Sequence, residues 1–264
     1  MRRAKVAISI RPDVLAAVER LIDGSKIRNR SQAIEDLIMK SVKVPFVTQA
    51  VMYEYGITRH REIEPIPLQK IGKMTIFERN LTFLKKHGIS TVFMMADRGN
   101  PSRYLELGKR IGVNVVVYKA VGSTAGRLLA LRDELEENFL VINGDCIAEF
   151  NLQSMIRVHI SSNNCCTLSL KETANGKNLI KVEGTRITYY GYLPTGRSSF
   201  ITSAGFDLFN KRVFEYIKKN SDSQEHELLP LLAKKKQLGG YTFSGDWWHF
   251  QDKKTLEEYK HLNS

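Results

Sequence analysis

Largely apolar runs that alternate with amphipathic segments constrain the fold of this chain most strongly. The apolar runs cover residues 90–96, 113–120 and 138–144, and apolar residues at helical spacing cover 74–87, 101–111 and 124–136. Runs of this length predict strands that are buried on both faces, and strands that alternate with helices favour a parallel sheet. The sequence therefore predicts an α/β fold with a mainly parallel sheet for a domain of residues 46–264.

The N-terminal segment follows a different pattern. Alternate positions from Val6 to Ile10 are apolar, which predicts a strand with one apolar face. Pro12 and Asn29 each begin a segment with helical apolar spacing, so two short helices are expected to follow the strand. A unit of this size buries too little surface to fold alone, and a single strand has two unpaired edges. We therefore expect residues 1–43 to form a domain that folds as a homodimer.

This strand-helix-helix order, with Asn29–Ile34 opening the second helix, resembles the ribbon-helix-helix fold of MetJ-, Arc- and CopG-type repressors. In that family a two-stranded ribbon enters the DNA major groove, so the resemblance implies a double-stranded DNA partner. It also implies that strand residues read base edges and that the start of the second helix holds a phosphate. The implied DNA-binding residues are Arg3, Lys5, Ala7 and Ser9 on the strand, and Arg28, Asn29, Arg30 and Ser31 near the second helix.

The charge distribution agrees with a polyanionic partner. The formal net charge is +12, and residues 1–43 hold ten Lys or Arg against five Asp or Glu. Dense positive charge favours DNA or RNA binding. A solvated Lys-rich surface gives the same balance, however, and a module that only dimerises or binds a protein stays open as an alternative.

The larger domain contains a second set of motifs. The segment Phe139–Asp145, FLVINGD, is similar to a segment of sugar-1-phosphate nucleotidyltransferases such as glucose-1-phosphate thymidylyltransferases. Three further segments resemble that family in the same order: Ser123–Gly126, Ser203–Phe209 and Gly245–Trp248. The resemblance implies a nucleotide-diphospho-sugar transferase-like fold. The ligand-binding residues that it implies are Arg59, Ser123, Thr124, Ala125, Gly126, Asn143, Gly144 and Asp145.

Several positions depart from the pattern of that family. A triphosphate needs a glycine-rich backbone cradle, cationic side chains and, in this family, two Asp that hold Mg²⁺. Glu54-Tyr55 stands where the family has its glycine pair, and Ile66 replaces its cationic Lys. Tyr192–Pro194 replaces the charged E-K-P segment, and His249 replaces the second metal-binding Asp. We therefore expect a catalytically inactive domain with no catalytic residue, no metal ligand and no cofactor.

These motifs together predict a DNA-binding transcription regulator. Its degenerate nucleotidyltransferase-like domain would sense a nucleotide or sugar-phosphate effector, bind a protein or only oligomerise, with a homotetramer as one outcome. An active sugar-1-phosphate nucleotidyltransferase tethered to DNA is the alternative, and an antitoxin is a third hypothesis.

The sequence also bears on the compartment. No apolar run approaches the ~18 residues that a membrane-spanning helix needs, and the N-terminus lacks the features of a signal peptide. Three cysteines, Cys146, Cys165 and Cys166, do not suggest a disulfide framework. We expect a cytoplasmic protein without a membrane partner.

Overall fold

The computed structural model describes residues 6–25, 27–41, 47–54, 64–98, 100–194, 197–218, 223–250 and 253–262. The chain divides into two compact units, Met1–Pro45 and Phe46–Ser264.

The N-terminal unit contains helices α1 (Pro12–Glu19) and α2 (Arg30–Ser41). Asn29 caps α2 as predicted, because its side-chain oxygen accepts a hydrogen bond from the Gln32 amide at 2.9 Å. Residues 6–11 form no paired strand in the single chain, so the predicted ribbon is not shown. A strand is defined by hydrogen bonds to a neighbour, and one copy of this segment supplies none.

The DNA-binding role of the predicted residues stays a prediction. Arg3 and Lys5 lie outside the described residues. The others are exposed, on the segment before α1 or around the start of α2: Ala7, Ser9, Arg28, Asn29, Arg30 and Ser31.

The larger unit alternates strands and helices in its first half. Its helices are α3 (Ile76–Lys86), α4 (Pro101–Ile111), α5 (Thr124–Ala130), α6 (Leu152–Ser162), α7 (Leu229–Lys234) and α8 (Lys253–Leu262). Its strands are β1 (Gln49–Tyr53), β2 (Lys70–Ile71), β3 (Met74–Thr75), β4 (Thr91–Ala96), β5 (Asn114–Lys119), β6 (Asn138–Asn143), β7 (Cys146–Ala148), β8 (Cys166–Gly176), β9 (Asn178–Glu183), β10 (Arg186–Tyr192), β11 (Ser199–Ser203), β12 (Phe206–Asn210), β13 (Leu238–Thr242) and β14 (Trp247–His249). A π-helical turn covers Gln224–Leu228, and 3₁₀ turns cover Ile66–Leu68 and Lys211–Glu215.

Within the described residues, one large sheet has the strand order β5-β4-β1-β6-β12-β8-β13-β10-β9, with β11 also beside β8. Neighbouring strands from β5 to β6 are parallel, and so are β8 and β13. β12 joins the two parts through antiparallel pairings with β6 and β8. The mixed α/β fold and its parallel central strands confirm the prediction. β7 and β14 form a separate antiparallel ribbon.

The sheet separates two hydrophobic cores. Val51 and Tyr53 of β1 belong to one core, and Ala50 and Met52 belong to the other. This alternation follows from the two-residue period of a strand. Because helices cover both faces, β1 is apolar at consecutive positions, as a buried parallel strand requires.

Local signals determine where the covering helices begin and end. Thr75 and Glu78 form a capping box at the start of α3, with each side chain bonded to the other residue's backbone amide. Asn100 caps α4, and Gly112 ends it with a φ of 78°. That left-handed conformation suits glycine, which has no Cβ. In the described part of the chain, none of the helices has the length and apolar character needed to cross a membrane.

Candidate active site

The predicted ligand-binding segments meet at the carboxyl edge of the parallel strands. β1 ends at Tyr53, beside the end of β6 at Asn143. The segment 120–123 connects the end of β5 to α5 at the same edge of the sheet. In open α/β sheets, ligands bind in the crevice outside the carboxyl ends of the strands. The structure therefore brings the residues predicted from the 123–126 and 143–145 motifs to the expected edge.

The segment Asn143–Asp145, called the corner here, is fixed by its backbone. The Asn143 amide donates to the Gly205 carbonyl and the Gly144 amide donates to the Tyr53 carbonyl, each at 2.9 Å. The Asp145 carbonyl accepts from the Phe250 amide at 2.8 Å. A Cβ on Gly144 would lie 2.5 Å from the Tyr53 carbonyl oxygen, so only glycine fits there. The corner is therefore held by three separate segments.

The turn 123–126 is joined to β1 by side chains. The Tyr53 hydroxyl donates to the Thr124 carbonyl at 3.0 Å and accepts from the Gln224 side-chain amide at 2.8 Å. The Thr124 hydroxyl accepts from the Gln224 backbone amide at 3.0 Å. Ser123 caps α5 by accepting from the Gly126 amide. These bonds fix the turn in place, so its backbone presents one geometry to a ligand.

Asp145, Cys146 and His249 form a cluster at the corner. The imidazole Nε2 of His249 lies 3.3 Å from Oδ2 of Asp145, and the thiol of Cys146 donates to Oδ1 of Asp145 at 3.7 Å. One ligand atom from each residue lies within 4.8 Å of the others. Burial raises the pKa of the Cys146 thiol well above its usual range, and the neighbouring Asp145 carboxylate adds to that increase. The cluster combines three kinds of metal-binding donor.

Glu54 does not place an unpaired negative charge at the strand ends. Its carboxylate accepts hydrogen bonds from the backbone amides of Asp97 and of Arg98, the latter at 3.0 Å. Charge-assisted hydrogen bonds of this kind stabilise the ionised carboxylate in its observed position. Glu54 therefore connects the end of β1 to the segment after β4.

Two other departures from the family pattern have structural roles. Ile66 is buried in a small core that includes Ile71 and Phe250. The Tyr192 ring stacks on the His226 ring at 4.6 Å between centroids, and its hydroxyl donates to Glu225. Ile66 thus contributes to a hydrophobic core, and Tyr192 contacts the segment 225–226.

Sequence motifs missed part of this site. Arg59 lies outside the described residues, so its predicted role stays a prediction. Tyr53, Gln224 and Cys146 were not predicted as site residues. Tyr53 lies within an apolar run, and Cys146 and His249 are brought together only by the register of β7 against β14. No local pattern reports such long-range contacts.

A cavity of about 570 Å³ lies next to the β7–β14 ribbon. Its lining includes Arg79, Lys86, Glu149, Trp248 and Tyr259. The cluster of Asp145, Cys146 and His249 and the 123–126 turn do not contribute to that lining. The candidate active site is therefore identified by its chemistry at the strand ends and not by cavity size.

Comparison with known protein families assigns the larger unit to one of them. Residues 55–252 match the Nucleotidyl transferase family, and the chain therefore belongs to that family. The match includes the 123–126 turn, the corner and His249.

Curated relatives are identical to this chain at roughly a quarter of the aligned positions. Mannose-1-phosphate guanyltransferase beta-B of Xenopus laevis is 26% identical over 195 residues, which cover 69% of this chain and 54% of the relative. "Probable glucose-1-phosphate cytidylyltransferase" of Bacillus subtilis is 29% identical over 137 residues, or 51% of this chain and 53% of the relative. The chain thus spans little more than half the length of these relatives.

Solved structures share the fold. UDP-glucose pyrophosphorylase complexed with UDP-glucose superposes with a TM-score of 0.68 at 15% identity, covering 83% of this chain and 98% of that one. HddC from Yersinia pseudotuberculosis gives the same TM-score and identity, covering 83% of this chain and 100% of that one. At these identities the likeness shows the fold alone.

These comparisons contradict the prediction of a DNA-binding transcription regulator with an inactive domain. The family is named for nucleotidyl transfer, and the names of the relatives add sugar phosphates as substrates. Nothing in these comparisons points to DNA-binding regulation or to a degenerate domain. The prediction of inactivity rested on four departures from the family pattern; at one of them, Glu54, backbone amides bind the carboxylate. The alternative prediction, a sugar-1-phosphate nucleotidyltransferase, agrees better with these findings.

Proposed function

We propose that this chain is a sugar-1-phosphate nucleotidyltransferase. The observation that carries the proposal is the position of the corner 143–145, which lies inside the matched family segment and at the carboxyl edge of the parallel strands. Relatives of this family differ in the nucleotide and in the sugar that their names give. The proposal therefore concerns the class of reaction and leaves both substrates to be measured.

In this reaction an oxygen of the sugar 1-phosphate attacks the α-phosphorus of a nucleoside triphosphate. A new P–O bond forms, the bond from the α-phosphorus to the bridging oxygen of the β-phosphate breaks, and pyrophosphate leaves. Such transfers depend mainly on positioning and on electrostatic stabilisation. Rigid placement of the reacting groups is therefore the main task of the protein.

The geometry supports that task in two ways. The family resemblance implies that the base lies at the 123–126 turn and that the reacting phosphates lie near Asp145. Tyr53 is hydrogen-bonded to both segments, through its hydroxyl to Thr124 and through its carbonyl to Gly144. A single residue of β1 thus holds the distance between the two proposed subsites.

The Mg²⁺ site is one of the positions at which this chain departs from the family. The resemblance implies two carboxylates, and this chain offers Asp145 with the imidazole of His249 and the thiol of Cys146. Mg²⁺ selects oxygen ligands. No step of the proposed reaction is assigned to Mg²⁺ here.

The test is a product screen with the full-length protein. Each common nucleoside triphosphate is paired with mannose 1-phosphate and with glucose 1-phosphate, in buffers that contain Mg²⁺, Mn²⁺, Co²⁺ or Zn²⁺. Nucleotide sugar is separated by anion exchange, and pyrophosphate release is measured in parallel. We expect at least one pair to yield both products in equal amounts.

A matched pair of variants assigns the activity to the site. Asp145→Asn removes a buried carboxylate at the corner, and Asp133→Asn removes an exposed one after α5. We expect a loss on the order of 10²-fold in turnover for the first, because Asp145 is the carboxylate through which the site would hold a dication beside the reacting phosphates. The second should be unchanged. Absence of nucleotide sugar from every pair, with every ion, would contradict the proposed function.

A further inference from the structure

The cluster at the corner has a donor set that differs from the one that the family resemblance implies. Asp145 and Cys146 are almost fully buried, and the side chain of His249 is 29% exposed. Within the part of the chain that the structure describes, the Asp145 carboxylate contacts this thiol and this imidazole. A buried carboxylate is therefore surrounded by two further groups that bind metal ions.

The fold holds these three side chains in position from the backbone. His249 lies opposite Cys146 in the antiparallel register of β14 against β7. The Phe250 amide donates to the Asp145 carbonyl, and the Asn80 side chain donates to the Cys146 carbonyl at 2.9 Å. The ligand-bearing residues are thus fixed on both sides of the ribbon.

The spacing of the donors suits a small tetrahedral shell. Ligand atoms about 2.0–2.3 Å from one Zn²⁺ ion lie roughly 3.3–3.8 Å apart in tetrahedral geometry. The His249 Nε2 to Asp145 Oδ2 separation is 3.3 Å, and the Cys146 Sγ to Asp145 Oδ1 separation is 3.7 Å. Both fall in that range, although they involve different oxygens of the carboxylate. Small side-chain rotations would bring the three donors around one ion.

The chemistry of the donors selects the ion. Imidazole nitrogen and thiolate sulfur bind Zn²⁺ and Co²⁺ far better than Mg²⁺, which prefers an octahedral shell of oxygens. A coordinated thiol is deprotonated by the ion, and its proton passes to solvent. Three protein ligands also leave one position of a tetrahedral shell open.

We propose that Asp145, Cys146 and His249 bind a Zn²⁺-type dication in place of the Mg²⁺ of the family. The inference deepens the proposed function, since it concerns the same site. Binding of the ion can nevertheless be measured without substrates and without turnover.

The experiment titrates Co²⁺ into metal-free, full-length protein and follows the visible and near-ultraviolet absorption. We expect one ion per chain, intense bands of a tetrahedral site and a thiolate-to-cobalt charge-transfer band. Zn²⁺ should displace Co²⁺ at equal concentration, whereas a large excess of Mg²⁺ should not. Displacement by equimolar Mg²⁺, or absence of Co²⁺ binding, would overturn the proposal.

Three variants assign the ligands. Cys146→Ser should lose the charge-transfer band, and Cys165→Ser, which changes a buried thiol outside the cluster, should retain it. His249→Asp restores a carboxylate pair, so the preference for Co²⁺ over Mg²⁺ should fall by about tenfold or more. A band that survives in Cys146→Ser contradicts the proposal. If Cys146→Ser does not fold, as judged by circular dichroism, the His249→Asp variant tests the proposal instead, because His249 is partly exposed.

The two proposals fail separately. Co²⁺ binding without nucleotide sugar formation would contradict only the proposed function. Nucleotide sugar formation with Mg²⁺, in a protein that binds no Co²⁺, would contradict only this inference.

Discussion

The hydroxyl of Tyr53 donates a hydrogen bond to the carbonyl oxygen of Thr124 across 3.0 Å, which joins the end of β1 to the first turn of α5. The same hydroxyl accepts from the buried Gln224 side chain. Tyr53 and Thr124 are 71 positions apart in the chain. One phenol thereby sets the position of the turn that the family resemblance assigns to the base.

Tyr53→Phe tests this connection. The variant keeps the ring but leaves the buried Gln224 amide only its longer bond to the Thr124 carbonyl, at 3.5 Å, and a poorly satisfied buried group costs about 1–3 kcal/mol. We expect the free energy of unfolding in urea to fall by that amount. Nucleotide affinity, measured by calorimetry on the folded variant, should fall as well because the turn loses its hydrogen bond to β1.

Tyr118→Phe is the matched control. The Tyr118 hydroxyl donates to Glu134 at the surface, where water replaces a lost partner. Its loss should change stability and nucleotide affinity little. Equal effects of the two variants would contradict the role given to Tyr53.

The capping box of α3 gives a second prediction. Thr75→Ala removes the side chain that accepts from the Glu78 amide at 3.1 Å. Loss of such a cap costs about 0.5–2 kcal/mol, and the box is buried, which favours the upper half of that range. Urea denaturation at neutral pH measures the loss. Thr75→Ser keeps the hydroxyl, so a loss as large as that of Thr75→Ala would show that the methyl group, and not the cap, is responsible.

Local pattern predicted β6 closely, because a strand buried on both faces is apolar at nearly every position. It predicted α5 as a helix over 124–136, whereas the helix ends at Ala130. The chain continues in turns whose carbonyls bind distant side chains, with Gln49 donating to Glu134 and Lys211 donating to Leu135. Buried leucines keep a helix-like spacing through these turns. The end of α5 is therefore decided by tertiary partners that local spacing does not report.

The same limit explains the errors at the site. Motif comparison found the corner 143–145 because its geometry is local. It counted Glu54 as a departure from the glycine pair of the family, since a sequence does not show which amides a carboxylate will bind. It described His249 as the loss of an Mg²⁺ ligand and could not place Cys146 beside it, because that contact depends on the pairing of β7 with β14.

The N-terminal unit carries the third prediction. Among the described residues up to Ser41, the buried apolar side chains are Val18 and Ala33, whereas Ile8 is 57% exposed. A unit this small with so little buried surface gains stability by association. We therefore predict that the full-length chain is a homo-oligomer through this unit, at least a dimer.

Light scattering after gel filtration tests the oligomer. Ile8→Asp should lower the measured mass, because a charge replaces an apolar side chain in the predicted contact. Leu105→Asp, at a residue of similar exposure (46%) on α4, is the matched control and should leave the mass unchanged. A monomeric native chain, or loss of the oligomer only in Leu105→Asp, would contradict the prediction.

His159 gives the fourth prediction, which concerns pH. Its side chain is buried, and Nδ1 lies 2.8 Å from the Thr167 hydroxyl. Burial lowers the pKa of His159 to about 4, and the positive charge of Arg212 acts in the same direction. The unfolded chain binds this proton near pH 6.5. The stability contributed by the neutral imidazole is therefore present above pH 6.5 and is lost as the pH falls toward 4. From pH 7 to pH 5 the loss is about 2 kcal/mol.

His159→Gln keeps a polar partner for Thr167 but does not titrate, so the difference in unfolding free energy between pH 7 and pH 5 should shrink by that amount. His261→Gln, near the end of α8, should leave the difference unchanged. A His159→Gln variant with the native pH dependence would show that another group causes it.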